Sequence, residues 1–335
     1  MNEEKTGEGK AQALSALVQQ LQHRRRGFGA PLPLEGHYAG VIDAGDRYFC
    51  LKTDNVGTKV LIASALGKWD TVGIDCVAMN VNDIICLGAQ PLALVDYLAC
   101  ERYDALLARE IGKGLNAGAV KANVTVIGGE YALVPDLLRH FDLSGSCIGS
   151  VPKDRLITGK EIAPGDLLVG LRSSGVHSSG FTLIRKLLHA QKVGLQETPS
   201  GLNRTLGEEL LEPTEIYVTN VLELLEDLKI TGLAHITGGG LRNMVRLNAK
   251  VHFRISSPLK PQPIFPYLQG LGELSDATMF ETLNMGLGFV LVGPPEDAEI
   301  ARNQLRPHLE AEVIGEVTSG SGVSVPEHGI RFESY

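Results

Sequence analysis

At 335 residues with 44% hydrophobic side chains, the chain carries enough apolar material for two cores rather than one. Its net charge of −8 argues against non-specific nucleic-acid binding, which needs lysine and arginine gathered on one face, and leaves anionic substrates open where metal ions neutralise them. No run approaches the ~18 apolar residues of a membrane span, and the opening residues are polar and charged, so neither insertion nor secretion is indicated and the cytoplasm is expected.

The segment up to Lys10 reads as disordered, and Ala11 to Arg26 as an amphipathic helix with Leu14, Leu17, Val18 and Leu21 on one side. It ends in Arg24-Arg-Arg26 and Gly27-Phe-Gly29, the basic last turn and glycine that stop a helix. Residues 47 to 63 read as strand with a break at Gly57-Thr58. Asp70 to Leu87 has apolar residues at helical spacing (Val77, Val81, Ile84, Ile85) and closes at Gly88. Pro91 to Leu98 is strand-like, Asp104 to Ala119 returns to the helical period, Val124 to Ile127 is a short buried strand, and Phe141 to Val151 is another. Charged and turn-forming residues at 152 to 165 mark a domain boundary. The organisation read from this is an N-terminal segment (1–26), a first domain (27–155) and a second α/β domain (156–335).

The second half repeats the mixture. Leu167 to Leu171 reads as strand, Gly180 to Ala190 and Tyr217 to Leu228 as helices, Gly238-Gly-Gly240 as a turn before a helix over Leu241 to Leu247, and Leu287 to Val292 as strand. Residues 191 to 215 form a polar loop. The five cysteines (Cys50, Cys76, Cys86, Cys100, Cys147) make no C-x-x-C pair and read as buried free thiols in a reducing compartment.

Three separated segments each deliver an acidic residue beside small or polar neighbours: Thr53-Asp-Asn-Val-Gly-Thr-Lys59, Gly73 to Asp83, and Gly128-Gly-Glu130. Scattered carboxylates of this kind suit Mg²⁺, which takes a few of their oxygens and completes its octahedron with water and phosphate. Asp54 is either such a ligand or an Asx-turn residue, and Lys59 either a phosphate contact or an ordinary surface lysine. Asp83, with Asn82, falls near the end of its helix, where a carboxylate opposes the helix dipole; something cationic nearby would relieve that conflict. Asp75 is either on the same face or a first-turn acid. Glu130, just past a strand and two glycines, is either a site carboxylate or a plain turn residue. Ser173-Ser-Gly-Val-His-Ser-Ser-Gly180 gathers hydroxyls and His177 between a strand and a helix, so it serves either as an anion-binding turn with an acid–base histidine or as a capping cluster. Thr237-Gly-Gly-Gly240, after His235, repeats that logic. The standard phosphate loop, the dinucleotide fingerprint and the zinc spacings are absent from the sequence.

Taken in order, these segments closely resemble the phosphoribosylformylglycinamidine cyclo-ligase (aminoimidazole ribonucleotide synthetase) family. The match runs through Gly27-Phe-Gly29, Thr53 to Lys59, Gly73 to Asp83, Gly88 to Leu92, Asp96-Tyr97, Gly128 to Glu130, Ser173 to Gly180, Ala234 to Gly240 and Thr282 to Gly288. The resemblance implies a two-domain α/β (α+β) ATP-binding fold whose first domain supplies strands to a barrel shared by a homodimer. It also implies ATP-dependent ring closure of formylglycinamidine ribonucleotide, with ATP and Mg²⁺ and neither nucleic acid nor membrane as partner. Carried over by position, Gly27, Phe28, Gly29, Asp54, Thr58, Asn82, Asp83 and Glu130 contact Mg-ATP, with Asp54, Asp83 and Glu130 as metal ligands. His177, His235 and Lys59 are the catalytic candidates, and Ser174, Gly175, Ser178, Thr237, Gly238, Gly239 and Asn284 line the substrate.

The chain departs from the family pattern before Gly27, where Tyr…Ala-Gly-Val-Asp is usual. It departs again after Glu130, where Tyr-Ala-Leu-Val-Pro replaces the usual Thr-Ala-Glu-Met-Pro. The competing readings are a thiamine-monophosphate kinase-like phosphorylating enzyme, expected to show an Asp-Asp pair at the 27–29 position, and a non-catalytic nucleotide-binding scaffold dimer.

Overall fold

The computed structural model describes residues 3–34 and 36–335. Helix α1 (Glu3–Gln20) begins earlier than the sequence suggests and stops before the arginine cluster. The stretch read as disordered is therefore helical from Glu3 onward, while Met1 and Asn2 lie outside the described residues. Leu14, Leu17, Val18 and Leu21 do fall together, but all four are about half exposed.

The first domain is built from β1 (Pro31–Leu32), β2 (Gly40–Asp43), β3 (Arg47–Asn55), α2 (Val60–Leu66), α3 (Asp70–Ile85), β4 (Gln90–Cys100), α4 (Ala105–Ala122), β5 (Thr125–Leu133) and β6 (Phe141–Pro152). Its sheet runs β1-β2-β3-β6-β4-β5, parallel only between β4 and β5, and curls as an open half-barrel. Helix α3 lies across its inner face with almost every residue buried, and α4 crosses α3 at very close range. Glycines permit that crossing: a Cβ at Gly114 would sit 1.9 Å from the carbonyl oxygen of Asp70.

Two expectations fail here. The strand starting at Arg47 ends at Asn55, because Gly57 takes a left-handed conformation (φ +71°) and turns the chain into a short 3₁₀ turn and then α2. Val60 and Ile62 looked like strand residues because they are β-branched, yet they bury one face of a helix; packing overrides propensity. Strand β5 is neither short nor buried. It is the sheet's edge, and Ile127 on it is 68% exposed.

The second domain contains β7 (Leu167–Arg172), α5 (Phe181–Gln191), α6 (Leu206–Leu210), α7 (Val218–Leu224), β8 (Gly232–His235), β9 (Val251–Ile255), α8 (Ile264–Gly272), α9 (Asp276–Thr282), β10 (Leu287–Gly293), α10 (Pro295–Leu305), β11 (Ala311–Ser319), β12 (Gly322–Val325) and β13 (Ile330–Phe332). Its sheet runs β13-β12-β9-β11-β7-β10-β8. The supposed polar loop at 191 to 215 holds α6, started by a capping box in which Thr205 and Glu208 satisfy each other's backbone N–H groups. The segment after the glycine turn is a 3₁₀ helix, Gly240–Arg246, rather than an α-helix. The helix read over Tyr217 to Leu228 shortens to α7.

Candidate active site

Helix α3 is the wall along which the two domains meet. Asn82 donates from Nδ2 to the Glu215 carbonyl (2.8 Å) and accepts the Tyr217 N–H at Oδ1 (3.1 Å), so its amide is spent on holding the 215–217 segment. One residue on, Asp83 accepts from Nδ1 of His235 at 2.8 Å, and its other oxygen lies 2.7 Å from the Lys52 ammonium. His235 reaches this point because β8 ends there. Strand alternation turns Lys52 and Asp54 toward α3 together, and Lys52 also lies 3.2 Å from Asp54. Burial would raise the Asp83 carboxyl, but the His235 hydrogen bond and the Lys52 charge outweigh it and hold the group below its ordinary value. The cation that the end of α3 calls for is therefore Lys52.

Of the two readings open for Lys59, the ordinary surface lysine does not hold. Lys59 is fully buried beneath the site, 2.8 Å from Oδ2 of Asp75, and donates to the carbonyls of His177 (3.0 Å) and Glu212 (2.6 Å). Asp75 accepts in turn from the N–H and hydroxyl of Thr214, both at 2.7 Å. Burial presses the Lys59 ammonium toward neutrality, and Asp75 opposes it. The bonds to His177, Glu212 and Thr214 cross between domains, around a Lys59–Asp75 pair that lies within the first.

His177 sits in the left-handed region (φ +63°), an uncommon conformation for histidine that its surroundings must enforce. Its Nε2 accepts the Ser174 N–H at 3.1 Å, which places the proton of the neutral ring on Nδ1, and Nδ1 is buried without a partner. Burial first, then His235 and Lys59, push its pKa well below the usual imidazole range. On His235 the arrangement is reversed: Nδ1 donates to Asp83, and Nε2 is buried without a partner. The site thus holds one unengaged imidazole donor and one unengaged imidazole acceptor. Gly288 gives His177 room, since a Cβ there would meet the Tyr217 hydroxyl at 1.9 Å and Cε1 of His177 at 2.9 Å.

Several predicted residues serve as scaffold around these groups. Asn284 holds the carbonyl of Gly175 (2.9 Å) and accepts from the Ser173 hydroxyl and the Gly286 N–H. Ser178 shares a hydrogen bond with Thr214 (3.0 Å), Thr58 with Thr182 (3.2 Å), and the Ser174 hydroxyl with the Pro213 carbonyl. Thr237 accepts the Gly240 N–H at its carbonyl (2.9 Å), closing the turn through Gly238 and Gly239. Gly27, Phe28 and Gly29 stand apart before β1, with Phe28 63% exposed. Glu130 also stands apart from Asp54. It is exposed on β5 in the row of Tyr97, Ser144 and Asn55, whereas Asp54 belongs to the next row with Gly145 and Asp96, on the opposite face. Among the described residues no three His, Cys, Asp or Glu side chains are grouped closely enough to hold a metal ion.

Other residues at the site carried no signal in the sequence reading. Gly36-His37-Tyr38 forms a strap that Arg246 grips, donating to the carbonyls of Gly36 (2.7 Å) and His37 (2.9 Å) while its guanidinium lies between the rings of Tyr38 (4.2 Å) and Tyr335 (4.7 Å). Both ring nitrogens of His37 are buried without partners. Burial and the Arg246 charge lower its pKa to about 4, against the pull of Asp83. The sequence signal for the strap is a His-Tyr pair flanked by Gly36 and Gly40.

Residues 36–151 match the family described as AIR synthase related protein, N-terminal domain, and residues 163–327 match AIR synthase related protein, C-terminal domain. The strap falls inside the first match and Gly27 to Gly29 outside it. The chain is 46% identical over 332 residues to a phosphoribosylformylglycinamidine cyclo-ligase of Thermococcus kodakarensis, covering 99% of this chain and 97% of that one. It is 44% identical over 315 residues to the protein of the same name from Methanosarcina acetivorans, covering 94% and 92%. Among solved structures it resembles thiamine monophosphate kinase from Aquifex aeolicus, with TM-score 0.62, 16% identity and coverage of 93% and 95%. It also resembles AaThiL complexed with AMPPCP and TMP, with TM-score 0.66, 17% identity and coverage of 95% and 93%.

Proposed function

The chain belongs to the AIR synthase related family, and from that membership we propose that it is a phosphoribosylformylglycinamidine cyclo-ligase, closing the imidazole ring of aminoimidazole ribonucleotide at the expense of ATP. The thiamine-monophosphate kinase-like and scaffold readings give way to it, because the near-full-length relatives at 44% and 46% identity carry the cyclo-ligase name.

In this reaction the γ-phosphoryl group passes from ATP to the formyl oxygen of formylglycinamidine ribonucleotide, turning a poor leaving oxygen into phosphate. The amidine-side nitrogen then bonds to the formyl carbon and loses a proton, phosphate departs, and ADP is released. Such chemistry asks for charge neutralisation and alignment more than for covalent catalysis. The observation that carries the reading is the pair of buried imidazole nitrogens left without protein partners where the domains meet, Nε2 of His235 and Nδ1 of His177. The first is placed to accept the proton that the ring-closing nitrogen sheds, with Asp83 stabilising the resulting imidazolium. The second is placed to donate a hydrogen bond to the substrate. Lys59, sealed beneath them, positions the His177 loop through its carbonyl rather than touching ligand.

Magnesium suits the donor set in kind, since Asp54 and Asp83 offer hard carboxylate oxygens already drawn to a positive charge; when bound, it neutralises the triphosphate. The active assembly is a homodimer formed through the open face of the first sheet. Leu51, Leu92, Val95, Tyr97 and Ile127 on β3, β4 and β5 are 39% to 68% exposed, an apolar surface that asks for cover. Glu130 lies at the same open side and so meets the second subunit rather than its own Asp54. The free cysteines, all five buried, accord with a cytoplasmic setting.

The test is an assay with purified protein, ATP, Mg²⁺ and formylglycinamidine ribonucleotide. ADP and aminoimidazole ribonucleotide are expected in equal amounts. ADP release with thiamine monophosphate but not with the ribonucleotide would favour the kinase-like reading, and nucleotide binding without turnover the scaffold.

A further inference from the structure

The place between Asp54 and Asp83, where a divalent ion would be sought, is spanned by the chain's own ammonium. Nζ of Lys52 lies 3.2 Å from Asp54 and 2.7 Å from Asp83, with 18% of the lysine side chain exposed. Around the same carboxylate, Nε2 of His235 and both nitrogens of His37 are buried with nothing to bond. Buried polar atoms without partners cost free energy, so their gathering marks a place that a polar ligand completes. A cation and a polar ligand therefore belong at one point, and only the cation is supplied by the fold.

We propose that Lys52 is a resident counter-ion that holds the divalent-ion position in the nucleotide-free protein and shifts onto the phosphate chain when the metal–nucleotide complex arrives. The proposal rests on the reading of Asp54 and Asp83 as metal ligands. Geometry allows the movement, because an unbranched four-carbon stem carries the charge and both partners lie within its reach. Electrostatics favours it: a doubly charged ion binds two carboxylates more strongly than an ammonium does, and the displaced ammonium finds a new anion in the phosphates. Without Lys52, two carboxylates would face each other across a partly buried gap in the empty protein; with it, one of their two negative charges is balanced until the nucleotide enters.

The experiment is Mn²⁺ binding without nucleotide, followed by electron paramagnetic resonance, on the intact protein and on Lys52→Met, Lys52→Arg, Asp83→Asn and the double variant Lys52→Met/Asp83→Asn. Affinity for Mg-ATP is measured on the same proteins by calorimetry. Lys52→Met should bind Mn²⁺ about tenfold more tightly than the parent, whereas Lys52→Arg should not; Mg-ATP should bind Lys52→Met about tenfold more weakly, as one phosphate contact worth ~1.4 kcal/mol is lost. Unchanged Mn²⁺ affinity in Lys52→Met, with a clear loss in Asp83→Asn, overturns the counter-ion role. Tightened Mn²⁺ with unchanged Mg-ATP affinity overturns the movement onto phosphate. If Asp83→Asn leaves Mn²⁺ binding unaffected in both backgrounds, the metal-ligand reading itself has failed. Should Lys52→Met not fold, Lys52→Gln gives the same readings with a shorter neutral side chain.

Discussion

Nδ1 of His235 lies 2.8 Å from Oδ1 of Asp83, a hydrogen bond between residues 152 positions apart in the chain that fastens the end of β8 to the end of α3. The bond orients the imidazole, keeps the carboxylate charged, and ties the catalytic candidate of one domain to the nucleotide-side candidate of the other. Carboxylate and histidine therefore act as a unit, and removing either is felt at both.

Asp83→Asn should weaken Mg-ATP binding at least ~100-fold, close to abolishing it, while leaving the association state unchanged. Calorimetry and sedimentation velocity check the two halves separately. Unaltered nucleotide affinity would remove Asp83 from the site.

Lys59→Met should destabilise the protein by about 3–5 kcal/mol, since it leaves Asp75 charged and buried without its counter-ion. The double change Lys59→Met/Asp75→Leu should recover part of that loss. Urea unfolding midpoints for the three proteins decide the matter, and a loss under ~1 kcal/mol in the single variant would mean that water reaches the pair.

His37 makes stability depend on pH. Its pKa falls from 6.5 to about 4 on folding, so between those values the unfolded chain takes a proton that the folded one refuses. The stability it contributes is complete above pH 6.5 and drains away as the pH falls toward 4, by up to about 3 kcal/mol. His177, shifted in the same direction, adds to the slope. In His37→Phe the fall in melting temperature over this window should be shallower than in the parent; parallel curves would refute the assignment.

Ile127→Glu puts a charge on the edge strand of the open sheet face, where 68% of the isoleucine is exposed in the single chain. Sedimentation should show a monomer in place of a dimer, with the melting temperature lowered and α-helical circular dichroism retained. A dimer that persists would place the subunit contact elsewhere.

Much of the framework could be read from periodicity. Helix α3 announced itself through Val77, Val81, Ile84 and Ile85, and β7 through an apolar run of strand length. The misreadings share a cause: a short apolar run does not reveal how many of its faces are covered. Val124 to Ile127 looked like a core strand and is an edge, while Val60 to Ile62 looked like strand and is a helix face. At the site, the need of Asp83 for a cation followed from its place on α3, but the identity of that cation depended on the pleat of β3 against the helix. The burial of Lys59 was likewise out of reach, because two of its partners are backbone carbonyls of residues 118 and 153 positions away, and a backbone carbonyl leaves no trace in residue identity.

Those same bonds bear on any attempt to divide the molecule. A cut in the 156–165 connection would leave one fragment with an ammonium and a carboxylate facing solvent through an unfilled notch, and the other with a loop whose carbonyls have lost their donor. Neither fragment should be well behaved when expressed by itself. Produced together in one cell, the two should find each other and co-purify, with Lys59 as the peg and the His177 and Glu212 carbonyls as its socket.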